Sequence, residues 1–220
     1  MLEINKLHHG DCMDLMKLMP ANSVNMLLTD IPYDEVNKQV MTPFGTRKSE
    51  DKGEADALDF VLAEFLEEVY RVCSGSFYIF CGIEQVSEIR KFFRLKGLSN
   101  RSCVWEKTNP SPLGGKYMWL SGLEHCIYAK KPKAVFNEHC KRNVWQFSRG
   151  SAKVHPTQKS LELFEYLIKT SSNEGDIILD TCAGYSTTLI AAKNLNRRYL
   201  GMEKNQIYYD QSIERLKGNK

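Results

Sequence analysis

Residues 176–203 run DIILD, a turn through Gly184, the helical TTLIAAKNL, and then RRYLGME, which ends on an acid. A strand, a tight turn, a helix and a second strand this close together pack only as a right-handed crossover between parallel strands. The sheet that results must be covered by helices on both faces. The same alternation runs through the rest of the chain. KLHHG precedes a helical DCMDLMKLM, and VNMLLTD reads as a buried strand. Leu58, Val61, Leu62, Phe65, Leu66 and Val69 recur at helical spacing ahead of a strand, SFYIFCG. CVWEK and EHCIYAK read as further strands. A helix carrying Leu161, Phe164, Leu167 and Ile168 follows Pro156, and a last helix ends near Leu216. The pattern predicts one α/β domain over residues 1–220: a doubly wound, mainly parallel sheet with helices on both faces. Two segments fall outside it. Residues 37–57 are polar and read as a mobile loop, and residues 108–153 are basic and interrupted by Gly114, Gly115 and prolines 110, 112 and 132.

A chain of 220 residues with 42% hydrophobic and 26% charged residues can bury a real core. It contains no apolar run near the roughly 20 residues that span a bilayer. MLEINKLHHGDC lacks the layout of a secretory signal, so the expectation is a cytoplasmic, intracellular protein with no membrane partner. Seven cysteines without a CxxC pair, with Cys73, Cys81, Cys103 and Cys126 in apolar runs, read as reduced, buried thiols. The tripeptide EHC occurs twice, at 124–126 and 138–140, and could offer four metal ligands. Adjacent strand residues point to opposite faces, however, so no metal is expected. The net charge of +3 is unevenly spread: residues 106–153 hold nine Lys or Arg against three Glu. A basic segment on a slightly acidic body suits a phosphate-binding surface, and equally a solvated lysine-rich face.

Two constellations carry chemistry. In ILDTCAGYSTTLIAA a strand ends at Asp180, turns through Gly184 and opens a helix at Thr187. A helix start of this kind can approach an anionic group, and Glu203 at the end of the next strand stands where nucleotide-binding sheets hold ribose hydroxyls. The nucleophile elbow of serine hydrolases, with Ser186 as nucleophile, is excluded. All five histidines (8, 9, 125, 139, 155) precede Ser186, and the elbow's last glycine is Thr188. In TDIPY, the Asp30 carboxylate and the carbonyl of residue 31 can accept two hydrogen bonds from one amino group, and Tyr33 can stack on a planar base. Two such acceptors leave the nitrogen lone pair more available for attack.

Taken in order, the chain resembles the S-adenosylmethionine-dependent amino-DNA methyltransferases whose catalytic D-P-P-Y segment precedes the cofactor segment. GDCMDLMKLMPANSVNMLLTDIPY is similar to the family's opening, and CVWEKTNPSP to its W-x-K-x-N-P strand end. VHPTQKSLELFEYLI is similar to its H-P-T-Q-K-P helix start, and LDTCAGYSTTLIAA to its D-P-F-x-G-S-G-T-T loop. The resemblance implies a catalytic pocket of Asp30, Ile31 through its carbonyl, Pro32 and Tyr33. It implies a cofactor site of Asp180, Cys182, Gly184 and Thr187, with Asp30 beside it, Glu203 on the ribose, Asp11 and Cys12 on the adenine, and His155, Thr157 and Lys159 closing the pocket. Residues 108–153 become a small target-recognition insert, and Arg47, Lys48, Lys107, Lys116, Lys141, Arg142 and Arg149 the phosphate contacts. The implied reaction is methylation of adenine N6 in double-stranded DNA after base flipping. Cytosine-N4 methylation and an inactive cofactor- or DNA-binding relative stand as alternatives. A homodimer and a partner restriction endonuclease are left open, as is a bacterial or phage-like origin. Five positions depart from the family pattern: Ile31 for proline, Cys182 for phenylalanine, Tyr185 and Ser186 for Ser and Gly, and Ser160 for proline.

Overall fold

Strand β2 (Val24–Asp30) is almost wholly buried, and its side chains alternate between two cores. Leu27 packs into one, while Met26 and Leu28 pack into the other. Apolar residues on both faces at period two require helices above and below the strand. The computed structural model describes residues 2–33, 60–112, 115–150 and 159–218 and has this arrangement. The strands are β1 (Lys6–His9), β2, β3 (Cys73–Cys81), β4 (Ser99–Lys107), β5 (Leu123–Lys130), β6 (Val144–Phe147), β7 (Ile177–Asp180) and β8 (Arg198–Glu203). The helices are α1 (Cys12–Lys17), α2 (Leu62–Val72), α3 (Val86–Leu95), α4 (Leu161–Ser171), α5 (Thr187–Asn194) and α6 (Gln206–Leu216).

The sheet order is β1-β8-β7-β2-β3-β5-β4-β6. Every neighbouring pair is parallel except those of β5, which runs antiparallel to both β3 and β4. One core, with Phe65, Val69, Phe77 and Phe93, lies under α1, α2 and α3. The other, with Phe80, Trp105, Phe164 and Ala191, lies under α4 and α5. The doubly wound, mainly parallel sheet read from the sequence is therefore present. From β2 the chain winds one way through β3, while β7 and β8 extend the other way. The order thus reverses between β2 and β7, and open α/β sheets bind ligands in the crevice at the carboxyl ends of such a pair.

The basic segment 108–153 contributes two strands to the sheet. β5 lies inside the sheet with Cys126, Ile127 and Ala129 buried, and β6 forms its edge. Of its described residues, 108–112, 115–122 and 131–143 lie between strands. All seven cysteines are free thiols, five of them buried. Among the described residues no helix is long and apolar enough to cross a membrane. The 37–57 loop, Leu58, Arg47, Lys48, His155 and Thr157 lie outside the described residues.

Candidate active site

Two turns meet at the carboxyl ends of β2 and β7. The Thr29 hydroxyl donates to Asp180 Oδ1 at 2.9 Å and lies 3.0 Å from the Thr181 hydroxyl, so the two strand ends are tied directly. Beyond Thr29 the chain turns through Asp30, Ile31, Pro32 and Tyr33. The Ile31 amide donates to the Phe80 carbonyl at 3.1 Å, which continues the β2–β3 pairing one residue past the strand. The Ile31 side chain is 1% exposed and packs in the core with Leu27 and Ile79. Isoleucine thus fills core space where the family carries proline. Gln85 is buried and clamps the turn from outside: its amide donates to the Pro32 carbonyl at 3.1 Å while its Oε1 accepts from the Gly82 amide at 2.8 Å. Nothing in the local sequence marks Gln85, because its role depends on β3 delivering it beside β2.

Four charged side chains alternate in sign from this turn into the sheet. Lys159, just ahead of α4, places its ammonium 2.9 Å from Asp30 Oδ2, pairs with Glu124 Oε2 on β5 and lies 3.4 Å from the Tyr33 hydroxyl. Lys107 at the end of β4 pairs with Glu124 Oε1 at 2.7 Å. The Tyr33 hydroxyl donates to Asp30 Oδ1 at 3.3 Å, a long bond. Burial pushes the Asp30 carboxyl above its ordinary range, the Lys159 ammonium opposes that, and Glu124 reinforces it. Burial also works against the ionised form of Glu124, but Lys159 and Lys107 outweigh it and hold that carboxyl below the usual range. Burial disfavours the charged form of Lys159 as well, and Asp30 and Glu124 raise its ammonium well above the ordinary lysine value. Burial likewise raises the Tyr33 hydroxyl, which stays neutral. Lys159 was read as a cofactor residue and Lys107 as a phosphate contact. Here both belong to one buried ion-pair chain, in which Lys107 is only 13% exposed. Sequence reasoning missed Glu124, which figured only as a minority acid in a basic segment and as part of a weak metal motif.

The second turn, between β7 and α5, carries Asp180, Cys182 and Gly184. Asp180 is buried, and its Oδ1 also accepts from the Cys182 amide at 3.1 Å. Desolvation pushes its carboxyl up to about 6, against hydrogen bonds from the Thr188 and Thr29 hydroxyls. Gly184 has φ +47°, and a Cβ added there would meet nothing within 4 Å, so the turn is open to a visitor. Its amide donates to Glu203 Oε2 at 2.7 Å. Glu203 Oε1 accepts from the Asn205 amide at 2.8 Å, and burial raises this carboxyl too. Asp11 caps α1 by accepting from the Met13 amide at 2.8 Å and pairs with Lys204 at 3.0 Å. The Gly10 amide donates to the Glu203 carbonyl at 3.0 Å, which brings Asp11 and Cys12 beside the end of β8. Interaction with the Cys12 thiol, together with burial, raises the Cys182 thiol well above its ordinary value.

The departures in this loop have local solutions. Ser186 adopts the left-handed conformation (φ 59°, ψ 33°) that a glycine would take, with its hydroxyl buried and unpartnered. The Tyr185 ring lies 4.5 Å from the Arg215 guanidinium carbon, and Arg215 also bonds the Tyr185 carbonyl and, at 3.3 Å, the Thr187 hydroxyl. Ser160, in place of proline, caps α4 by accepting from the Leu163 amide.

Of the basic residues, Lys116 follows β4 and Arg149 follows β6, so both lie toward the carboxyl edge that carries Asp30. Arg149 is held there by Asn109, whose Oδ1 accepts from the Arg149 amide at 2.6 Å and whose carbonyl accepts from the guanidinium at 3.0 Å. Lys141 and Arg142 lead into β6, where the Asn143 side chain donates to the Ser102 carbonyl at 2.7 Å. They therefore sit well back from that edge.

The site thus joins the Asp30–Tyr33 turn to a buried acidic turn with open space at Gly184, at the switch point of the sheet. The family model of N6/N4 DNA methylases, described as "DNA methylase", matches residues 24–214. The type II methyltransferase M.HpaI of Haemophilus parainfluenzae is 32% identical over 91% of this chain and 70% of its own length. The crystal structure of the M1.HpyAVI–SAM complex has a TM-score of 0.71 at 27% identity, covering 96% of this chain and 98% of that one. The PvuII DNA methyltransferase, described as cytosine-N4-specific, shares the fold with a TM-score of 0.68 at 16% identity, over 96% of this chain and 85% of that one.

Proposed function

The chain belongs to the N6/N4 DNA methylase family, and from that premise we propose that it methylates adenine N6 in duplex DNA with S-adenosylmethionine as donor. The observation that carries the reading is the Thr29–Asp180 hydrogen bond, which holds the amine-accepting turn against the cofactor-type turn at the switch point. The residues present fit the donor. Asp180, its carboxyl raised by burial, is suited to a cationic partner, Gly184 leaves open space, and Glu203 ends β8 where a ribose would be met. Asp180, Cys182, Gly184, Thr187, Glu203, Asp11 and Cys12 hold it in this reading. When bound, the donor supplies a methyl group on a sulfonium centre.

The remaining steps fall to this chain's own side chains. A base in the duplex must first be flipped out, at a cost of a few kcal/mol. Tyr33 stacks on it, and one oxygen of Asp30 and the Ile31 carbonyl accept its two amino hydrogens, which aims the nitrogen lone pair at the methyl. Lys116 and Arg149 take up phosphates along the same edge, while residues 108–122 and 131–143 read the target. Asp30 favours adenine, since the family's cytosine-N4 enzymes more often carry Ser at that position. The name of its M.HpaI relative fits a restriction-modification setting with a partner endonuclease. A second copy would enlarge the small recognition surface.

The test is transfer of labelled methyl from S-adenosylmethionine to unmethylated genomic DNA, followed by nucleoside mass spectrometry. N6-methyladenine is the expected product. N4-methylcytosine would redirect the reading to the sister reaction, and no methylated base from folded protein would point to an inactive binder. Asp30→Ala is expected to abolish transfer while leaving DNA binding nearly intact.

A further inference from the structure

We propose that Glu124 is a positioning residue for methyl transfer: it draws the Lys159 ammonium onto Asp30 Oδ2 and keeps Oδ1 available to the substrate amine. The inference rests on the amine-acceptor reading of Asp30. A lysine ammonium has three hydrogens to donate. Those of Lys159 have three acceptors: Asp30 Oδ2 at 2.9 Å, Glu124 Oε2, and the Tyr33 hydroxyl at 3.4 Å. Lys159 and Glu124 are nearly enclosed, at 11% and 17% side-chain exposure, whereas Asp30 keeps 30%. The network therefore has one open end, at the carboxylate that meets the base. Among the described residues, Asp30 Oδ1 has only the 3.3 Å bond from Tyr33, which an incoming amine can displace.

The charges explain why Glu124 is needed. Asp30 and Lys159 alone would settle as a two-centre pair, with the ammonium free to bridge both carboxylate oxygens and block the acceptor. Glu124, fixed on a central strand, pulls the ammonium to one side. Lys107, 2.7 Å from Glu124 Oε1, balances the second negative charge so that the four groups sum to zero. A buried network of this kind holds its geometry only while every member is paired.

Removing the Glu124 charge and removing the Lys159 charge move Asp30 in opposite directions. The groups facing Asp30 are Lys159, Glu124 and Cys126 of β5, Tyr33 on its own turn, Cys81 of β3 and Asp180 of β7. Glu124→Gln takes away a neighbouring negative charge, so the acid limb of the kcat profile moves to lower pH. Lys159→Met removes the opposing positive charge, so the limb moves to higher pH. With Gln at 124 the ammonium closes on Asp30, and kcat falls by about 10- to 100-fold, the size expected for a misplacement near 1 Å. The Kd for S-adenosylmethionine is measured alongside and stays within about threefold, because Glu124 does not reach the Asp180 turn. Glu124→Asp keeps the charge and holds the limb at its wild-type position with a smaller loss of kcat.

The experiment is the pH dependence of kcat for wild type and these three variants on one methylatable duplex. The proposal is overturned if Glu124→Gln keeps wild-type kcat and limb, if its limb moves upward, or if Glu124→Asp is as impaired as Gln. Should the Gln variant not fold, Asp decides alone: lower kcat at unchanged cofactor Kd supports the role, and wild-type kcat removes it. An inactive wild-type enzyme, or an active Asp30→Ala, would instead defeat the underlying reading of the site.

Discussion

The Asp180 carboxyl, pushed up to about 6 from an ordinary 3.8 by burial, has a defined consequence for stability. A group whose folded pKa lies above its unfolded value stabilises fully below the unfolded pKa and loses that contribution as pH rises through the folded one. For Asp180 the window runs from about pH 4 to about pH 6, and the ionised group then costs about 3 kcal/mol at pH 8. Asp180→Asn should therefore unfold at higher temperature than wild type at pH 8 and match it near pH 4. Its affinity for S-adenosylmethionine should drop at least about tenfold, because a charged hydrogen-bond partner is lost. Thermal scans at the two pH values and a binding titration check this, and a stability difference independent of pH would contradict it. Ser186 carries strain of another kind. A left-handed conformation costs a non-glycine residue about 1–2 kcal/mol, and its buried hydroxyl has no partner. Ser186→Gly should raise stability by about 1 kcal/mol after the extra freedom of glycine in the unfolded chain is deducted. That corresponds to a Tm gain of about 2–4 °C for a chain of this size. The sequence marked Ser186 as a departure from the family, but only the backbone shows that it takes up the glycine conformation instead of rebuilding the turn.

At the scale of elements, β2 and β7 were legible because each is a short apolar run closed by an acid, and Asp30 and Asp180 followed from those closures. What could not be read was the partner each strand end finds across the sheet. Gln85 is an example: it stands three residues past a glycine with no motif around it, yet it clamps the Pro32 carbonyl and the Gly82 amide together. With Ile31 the β2 turn lacks one of the family's two prolines. Gln85 supplies the rigidity instead. Gln85→Ala should cost about 1–3 kcal/mol by leaving both buried groups unpaired. It should lower kcat through a looser Asp30 without changing cofactor affinity. Chemical denaturation and single-turnover rates measure the two effects, and loss of stability at wild-type kcat would make Gln85 a packing residue alone. The basic segment misled in the opposite sense: EHCIYAK was legible as a strand within it, but the charge excess drew attention away from β6, the strand that ends the sheet. Lys107 is consumed by Glu124. Lys131 is consumed by the Tyr70 carbonyl at 2.8 Å and the Asn22 side chain at 3.0 Å.

For the whole molecule, the direction of the strands decides which lysines and arginines can meet a duplex placed over Asp30. β2, β3, β4, β6, β7 and β8 all end on one edge, so loops that follow them share it. Lys116 and Arg149 belong to such loops, and so does Trp119, which is 98% exposed beside Tyr117 and Met118. Lys141 and Arg142 precede β6 and are set back from the edge. Each phosphate contact lowers the slope of log affinity against log salt by about one. Lys116→Ala and Arg149→Ala should each reduce the slope by about that amount between roughly 50 and 200 mM salt. Lys141→Ala and Arg142→Ala should leave it unchanged, and Trp119 fluorescence should respond to duplex in every variant that still binds. An equal loss of slope at Lys141 and Arg142 would put the duplex across the β6 edge instead. A base flipped from there could not reach the Asp30 turn without a large rearrangement, so the slope of a binding curve tests where the chemistry is placed.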